Sequence, residues 1–239
     1  MKTYAIVLAG GVGQRVGAGI PKQFIPVLGK PMMVYALETF QKCDSIDEII
    51  LVCVKSHIEQ AKSICNQYNI DKITAYVEGG AEFVDSCING VDCLTDKAVT
   101  GSIAVISSAD RPFMSEEELI DAITTCQKYG SGVAARRCSL CMFRVNNHQN
   151  HSSSYMRDEL VQTATPWAFD YHKLKESLIR YESGDLPPCE SYPVAIYAAA
   201  GHEIYFSKAF ARNIKITEKQ DVALMEHMLL EEREATKHE

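Results

Sequence analysis

An α/β fold with a largely parallel sheet is what this sequence predicts, on three observations. Short aliphatic and β-branched runs alternate with stretches of helical period, glycine-rich or polar turns separate them, and 46% of the 239 residues are hydrophobic against 23% charged. Strands are expected at Tyr4–Leu8, Glu48–Val54, Ile73–Val77, Ile103–Ile106, Gly132–Ala135 and Ile204–Phe206. Tyr4–Leu8 has no polar alternation, the mark of a strand buried on both faces. Helices are expected at Met32–Phe40, His57–Tyr68, Asp85–Leu94, Ser115–Tyr129, Tyr171–Arg180 and Asp221–Glu231. Two of the helix starts carry a capping-box pattern, Ser115 with Glu118 and Thr217 with Gln220, in which a hydroxyl N-cap is followed three residues on by an acceptor.

The length and composition fit one globular domain over residues 1–239. A formal charge of −7 argues against a broad nucleic-acid surface, so the basic residues that matter should gather around a small anionic ligand. The sequence opens on strand-like residues without a signal-peptide pattern, and no apolar run approaches the roughly 20 residues of a membrane span. The expectation is a cytoplasmic protein. Nine cysteines, an odd number spread through core-like segments such as those of Cys53, Cys87, Cys93 and Cys126, suit a reducing compartment. Cys138 and Cys141 with His148 and His151 superficially suggest zinc, but the histidines are too close together and no second ligand pair follows. Buried thiols on a strand are the favoured reading there.

Between Met142 and Thr163 the core pattern lapses into Asn146-Asn147-His148-Gln149-Asn150-His151 and Ser152-Ser153-Ser154. This polar, turn-forming stretch reads as a surface loop or an extended hairpin arm, and long excursions in compact domains commonly serve binding or assembly. A second irregular stretch, Gly184 to Pro193, holds three prolines.

The chemistry is concentrated at the start. Leu8-Ala9-Gly10-Gly11-Val12-Gly13-Gln14-Arg15 directly follows the first strand, and Pro21-Lys22-Gln23 comes soon after. Glycines there let backbone N–H groups face an anion, and Arg15 and Lys22 add charge, which together make a triphosphate cradle. The spacing matches neither a dinucleotide fingerprint nor a P-loop, since the third glycine of the first and the Gly-Lys-Ser/Thr of the second are missing.

Further motifs complete an ordered set. They are Glu78-Gly79-Gly80 with Asp85-Ser86 and Asn89-Gly90, Arg111-Pro112-Phe113, Arg157-x-x-Leu160, Thr165-Pro166 and Asn213-Ile214-Lys215-Ile216-Thr217. In order and spacing the chain resembles the 4-diphosphocytidyl-2-C-methyl-D-erythritol synthases and the related ribitol-5-phosphate cytidylyltransferases, from about Tyr4 to Glu231. The resemblance implies a Rossmann-like nucleotidyltransferase fold, with helices on both faces of the sheet and a protruding β-arm, here 142–163, that joins a homodimer. It implies transfer of CMP from CTP to a phosphorylated polyol, with magnesium on the triphosphate. By resemblance, Arg15, Lys22 and Lys215 are the catalytic cations. Ala9, Gly10, Gly11, Gly13, Gly80, Ser86 and Ala109 hold the nucleotide, and Arg111, Thr165 and Arg157 hold the acceptor, Arg157 reaching the partner's site.

Departures from the family pattern bear on the same sites. The family's His-Asp-x-x-Arg-Pro, whose aspartate binds metal and touches the polyol, reads Ser107-Ser108-Ala109-Asp110-Arg111-Pro112 here. Asp110, two residues on, would face the same side of an extended strand and serve as the metal ligand; a turn or helix-dipole role is the alternative. Phe83 replaces the arginine of Gly-Gly-x-x-Arg, with Ala81 also changed. An Asp-Thr pair that reads the polyol aligns with Ser139-Leu140, and a later Thr-Asp pair with Ser191-Tyr192. Three readings therefore stand: a cytidylyltransferase with an altered acceptor, a nucleotidyltransferase using another nucleotide, and a catalytically silent nucleotide-binding homologue.

Overall fold

Parallel strands need long crossovers, and the chain supplies them as helices. A computed structural model describes residues 2–10, 20–146 and 151–235. The strands are β1 (Thr3–Ala9), β2 (Pro26–Val27), β3 (Lys30–Pro31), β4 (Glu48–Cys53), β5 (Ile73–Glu78), β6 (Ile103–Ser108), β7 (Ser131–Arg137), β8 (Phe143–Val145), β9 (His151–Ser154), β10 (Val161–Asp170) and β11 (Phe206–Lys208). The helices are α1 (Met32–Lys42), α2 (Ile58–Gln67), α3 (Phe83–Asp92), α4 (Glu116–Tyr129), α5 (Tyr171–Glu182), α6 (Pro193–Ala199) and α7 (Lys219–Ala235).

The main sheet has the order β11-β7-β10-β6-β1-β4-β5. β1 lies parallel between β4 and β6, β5 continues parallel to β4, and β10 runs antiparallel to both β6 and β7. Alternation along β1 divides the core. Ala5, Val7 and Ala9 pack with Leu37 and Phe40 of α1, Cys65 of α2 and Leu119 of α4. Tyr4, Ile6 and Leu8 pack with Val91 of α3, Leu174 of α5 and Tyr197 of α6. Helices therefore cover both faces, as a buried parallel sheet demands.

Several sequence expectations are corrected. The last strand is shifted to Phe206–Lys208, because the Tyr205 N–H donates to the Ser131 hydroxyl instead of entering the ladder. β10 was not expected at all. The motif Thr165-Pro166 lies inside it, at a register shift between Thr163 and Trp167 where the ladder does not need a donor from proline. The stretch before Pro193 gives way to α6, with Pro193 in its first turn, where a missing N–H costs no helical hydrogen bond. At α7 the capping acceptor is Asp221, which takes hydrogen bonds from the Thr217 and Glu218 N–H groups at 2.7 and 2.8 Å; Gln220 turns to Glu218. The Ser115–Glu118 box forms in both directions.

The segment from Met142 contains a small hairpin, β8 against β9, pairing Phe143 with Ser154 and Arg144 with Ser153. It is less polar than its composition suggests, since Met142, Phe143, Val145, Tyr155 and Met156 are exposed. Cys138 is buried just past the end of β7, but Cys141 is exposed, so the pair is not two buried strand thiols; His148 lies outside the described residues.

α3 approaches the sheet closely at Gly90. A Cβ there would lie 2.4 Å from Cγ2 of Ile6 and 3.0 Å from Cγ2 of Val52, both fixed in the core. Gly90→Ala is expected to cost about 1–3 kcal/mol through overpacking, read as a lower urea midpoint with an unchanged slope. A midpoint at or above that of the parent would show that α3 shifts freely.

Candidate active site

Parallel strands deliver their following loops to one edge of the sheet, where α/β proteins commonly bind ligands. Gly10 follows β1, Gly79 and Gly80 follow β5, and Ser108 ends β6. The Gly79 N–H donates to the Cys53 carbonyl at 2.9 Å, and the Gly80 N–H to the Ser86 hydroxyl at 3.0 Å. Ser86 in turn donates to the Glu82 carbonyl, so its hydroxyl proton is already engaged within the loop. Gly80 must be glycine for steric reasons, because a Cβ would fall 2.1 Å from that of Asp85.

Lys22 is positioned by its neighbour. Gln23 is buried and donates its side-chain amide to the Ala9 carbonyl, tying the Pro21-Lys22-Gln23 segment to the end of β1. The Lys22 ammonium then reaches Oδ2 of Asp110 at 2.6 Å and the Ile216 carbonyl at 2.7 Å. Oδ1 of Asp110 accepts from the Ser108 hydroxyl at 2.5 Å. Asp110 is thus a turn residue past the end of β6, and its carboxylate folds back to Ser108, the position where the family pattern carries its aspartate. Leu8, Gly10, Lys22, Gly80, Asp110 and Lys215 line a cleft of ≈ 360 Å³. Ala9 and Ala109 are buried and do not line this cleft; the Ala109 N–H extends the ladder to the Leu8 carbonyl at 2.9 Å. Arg15, Gly11 and Gly13 lie outside the described residues.

A second cleft, of ≈ 540 Å³, adjoins the first, with Phe83, Ser108 and Lys215 lining both. Arg111 and Thr165 line it too. Arg111 is held by the backbone carbonyl and side-chain oxygen of Asn213 at 2.9 and 3.3 Å. Burial lowers its pKa from the ordinary guanidinium value, opposed by the nearby charges of Asp110 and Glu118. Thr165 shares a hydrogen bond with Ser107 at 3.0 Å. Arg157 stands exposed on a short 3₁₀ turn, Arg157–Glu159, and lines neither cleft.

Sequence reasoning placed Asn213 in a motif and Glu118 in a helix cap but missed that they hold these groups. Asn213 donates its amide to Glu118 at 3.1 Å and to the Thr165 carbonyl at 2.9 Å, joining three segments around Arg111. Glu118, fully buried, also accepts from the Phe210 N–H at 2.8 Å. Its capping pattern was visible in the sequence, but nothing there marked its second set of partners.

Two adjoining clefts at the carboxyl edge of a mostly parallel sheet, with cations brought in from separate loops, are what a nucleotidyltransferase needs for its two substrates. The chain matches the 2-C-methyl-D-erythritol 4-phosphate cytidylyltransferase family over residues 3–231, and it belongs to that family of CTP-dependent enzymes. It is 33% identical to the ribitol-5-phosphate cytidylyltransferase of Lacticaseibacillus paracasei over 228 residues, covering 95% of this chain and 97% of that one. It is 31% identical to the 2-C-methyl-D-erythritol 4-phosphate cytidylyltransferase of Clostridium perfringens over 232 residues, covering 95% and 99%. In structure it is similar to the 4-diphosphocytidyl-2C-methyl-D-erythritol synthase of Anaerococcus prevotii, with a TM-score of 0.82 at 22% identity over 96% of this chain and 98% of that one.

Removing Asn213 would take a partner from Arg111, Glu118 and the Thr165 carbonyl together. Asn213→Ala is expected to destabilise the protein by about 1–3 kcal/mol, because buried polar groups lose their hydrogen bonds. Urea unfolding measures this, and an unchanged midpoint would mean that the network contributes nothing.

Proposed function

We propose that this protein transfers the cytidylyl group of CTP to the phosphate of a small phosphorylated polyol and releases pyrophosphate. The observation that carries this reading is the pair of clefts meeting at Lys215 and Ser108, the first assigned here to the nucleotide and the second to the acceptor. An oxygen of the acceptor phosphate attacks the α-phosphorus of CTP, a new P–O bond forms, and the bond to the β-phosphate oxygen breaks with its electron pair leaving on pyrophosphate. The nucleophile is already an anion, so positioning and charge stabilisation matter more than proton transfer. Gly10, Gly80 and Ser86 border the nucleotide cleft. Lys22, Lys215 and, by family resemblance, Arg15 supply positive charge to the triphosphate and the five-coordinate phosphorus. Arg111 and Thr165 receive the acceptor.

Lys22→Ala and Lys215→Ala are each expected to lower kcat by about a hundredfold or more, the scale for losing one preorganised electrostatic group. Pyrophosphate release under saturating CTP measures it, and near-normal turnover in both variants would defeat the mechanism. The proposal extends to a homodimer joined through β8 and β9, supported by the exposed apolar residues of that hairpin and by the exposed Arg157, which lines neither cleft of its own chain. Mixing Arg157→Ala chains with Lys22→Ala chains should then restore some activity, because a mixed dimer holds one intact site. Subunit exchange without recovery would place Arg157 outside the partner's site. A cytoplasmic setting accords with the cysteines, all nine of which are free thiols.

Magnesium is part of the same proposal. Among the described residues no three His, Cys, Asp or Glu side chains gather into a protein cage. Magnesium commonly needs only one or two carboxylates, with the remaining oxygens from phosphates and water, so the single carboxylate of Asp110 fits. When bound, the ion would neutralise charge on the triphosphate. Lys22, held against Asp110 at 2.6 Å, would supply positive charge to the same phosphates. Asp110→Asn is expected to weaken magnesium-dependent CTP binding and activity together, seen by calorimetry with and without the ion. Unchanged magnesium dependence would leave Asp110 a structural role only.

A further inference from the structure

The acceptor cleft has an end that phosphate chemistry does not use. Phe83, Trp167 and Tyr192 meet there, with ring centroids 5.4 to 6.4 Å apart and interplanar angles of 76°, 49° and 90°. All three line the cleft, together with Val194, Ile204 and Phe206. Trp167 is buried, and its indole N–H has no hydrogen-bond partner. The rings come from separate parts of the chain: Phe83 begins α3, Trp167 sits in β10, and Tyr192 is the N-cap of α6. Phe83 and Tyr192 also stand where the family pattern has an arginine and, approximately, the aspartate of a polyol-reading pair.

We propose that Phe83, Trp167 and Tyr192 form an aromatic wall that reads the acceptor's carbon skeleton, so that the site selects a phosphorylated polyol whose end remote from the phosphate is poor in hydroxyls. The inference rests on the cytidylyl-transfer reading and deepens it. The cleft is sharply divided in chemistry: Arg111, Lys215 and Thr165 offer charge and hydrogen bonds to a phosphate, whereas the three rings and their aliphatic neighbours offer carbon. A C–H or methyl face gains by leaving water for such a wall. A hydroxyl placed there exchanges its water for at most the Tyr192 phenol and the buried indole N–H of Trp167, a poorer set of partners. Glu190 is one carboxylate lining the cleft, on an exposed residue, and cannot serve a row of hydroxyls. Discrimination therefore runs against the fully hydroxylated open chain.

The test compares ribitol 5-phosphate with its 1-deoxy analogue, two probes that differ by a single hydroxyl. With CTP and magnesium, the deoxy compound is expected to show about tenfold or greater kcat/KM, the scale on which an apolar pocket separates close analogues. Tyr192→Asp should reverse the preference while leaving the KM for CTP within about twofold; aspartate is a favourable N-cap, so α6 keeps its start. Trp167 is the only tryptophan in the chain, so its fluorescence reports occupancy of the wall without turnover. Equal or better use of ribitol 5-phosphate by the parent protein, an unchanged preference in Tyr192→Asp, or no emission change with either phosphate overturns the proposal. An emission change that favours the deoxy compound, with no pyrophosphate released from any acceptor, supports the wall and instead defeats the transfer reading.

Discussion

The ion pair between Lys22 and Asp110, with the bond from Lys22 to the Ile216 carbonyl, brings together three stretches of chain that are far apart in sequence: the segment after β1, the turn past β6 and the residues before α7. Its side chains keep only 12% and 11% of their exposure. Charges so far out of water need close partners, because desolvation can exceed the attraction of a single pair. Each partner has more than one. Lys22 also meets the Ile216 carbonyl, Asp110 also meets Ser108, and the Asp110 carbonyl accepts from the Ile216 N–H at 2.9 Å. The same contacts therefore close the fold at its ligand edge and fix where positive charge stands in the cleft.

A second polar centre lies on the other side of that point. Glu118, Asn213 and Arg111 tie down one wall of the second cleft in the same way, with a buried carboxylate serving both a helix cap and the loop that carries Asn213. The motif Asn213-Ile214-Lys215-Ile216 thus spans both centres. Asn213 anchors it to one and the Ile216 backbone to the other, leaving Lys215 between the clefts. Two fixed ends set where the backbone of Lys215 stands.

Much of this was legible in the sequence because it is local. β1, β4, β5, β6 and the helices between them follow from short continuous apolar runs and from stretches of period 3.6, and the Ser115 cap follows from two residues three apart. Lys22, Gly80, Asp110 and Lys215 stood out because each lies in a compact motif, and the fold gathers them at one cleft. What escaped depends on partners distant in sequence. Nothing near Thr165-Pro166 announces a central strand, since its hydrogen bonds go to β6 and β7. Glu118 reads as a surface cap until Asn213 and Phe210 arrive from nearly a hundred residues away. Phe83 and Tyr192 stood out only as two unrelated departures from the family pattern and Trp167 not at all, because ring packing across α3, β10 and α6 leaves no periodic trace.

The place of β10 in the sheet has a consequence for synthesis. It is inserted between β6 and β7, antiparallel to both, although it follows them in the chain. A nascent chain that has emerged only as far as β7 carries a parallel half-sheet whose β6 edge has open hydrogen-bonding groups along its length. Such an edge is a template for pairing with other chains. The ribosome must deliver the residues through Asp170 before that edge is covered, so β10, which contributes Thr165 to the second cleft, is also the strand that ends the protein's exposure to aggregation.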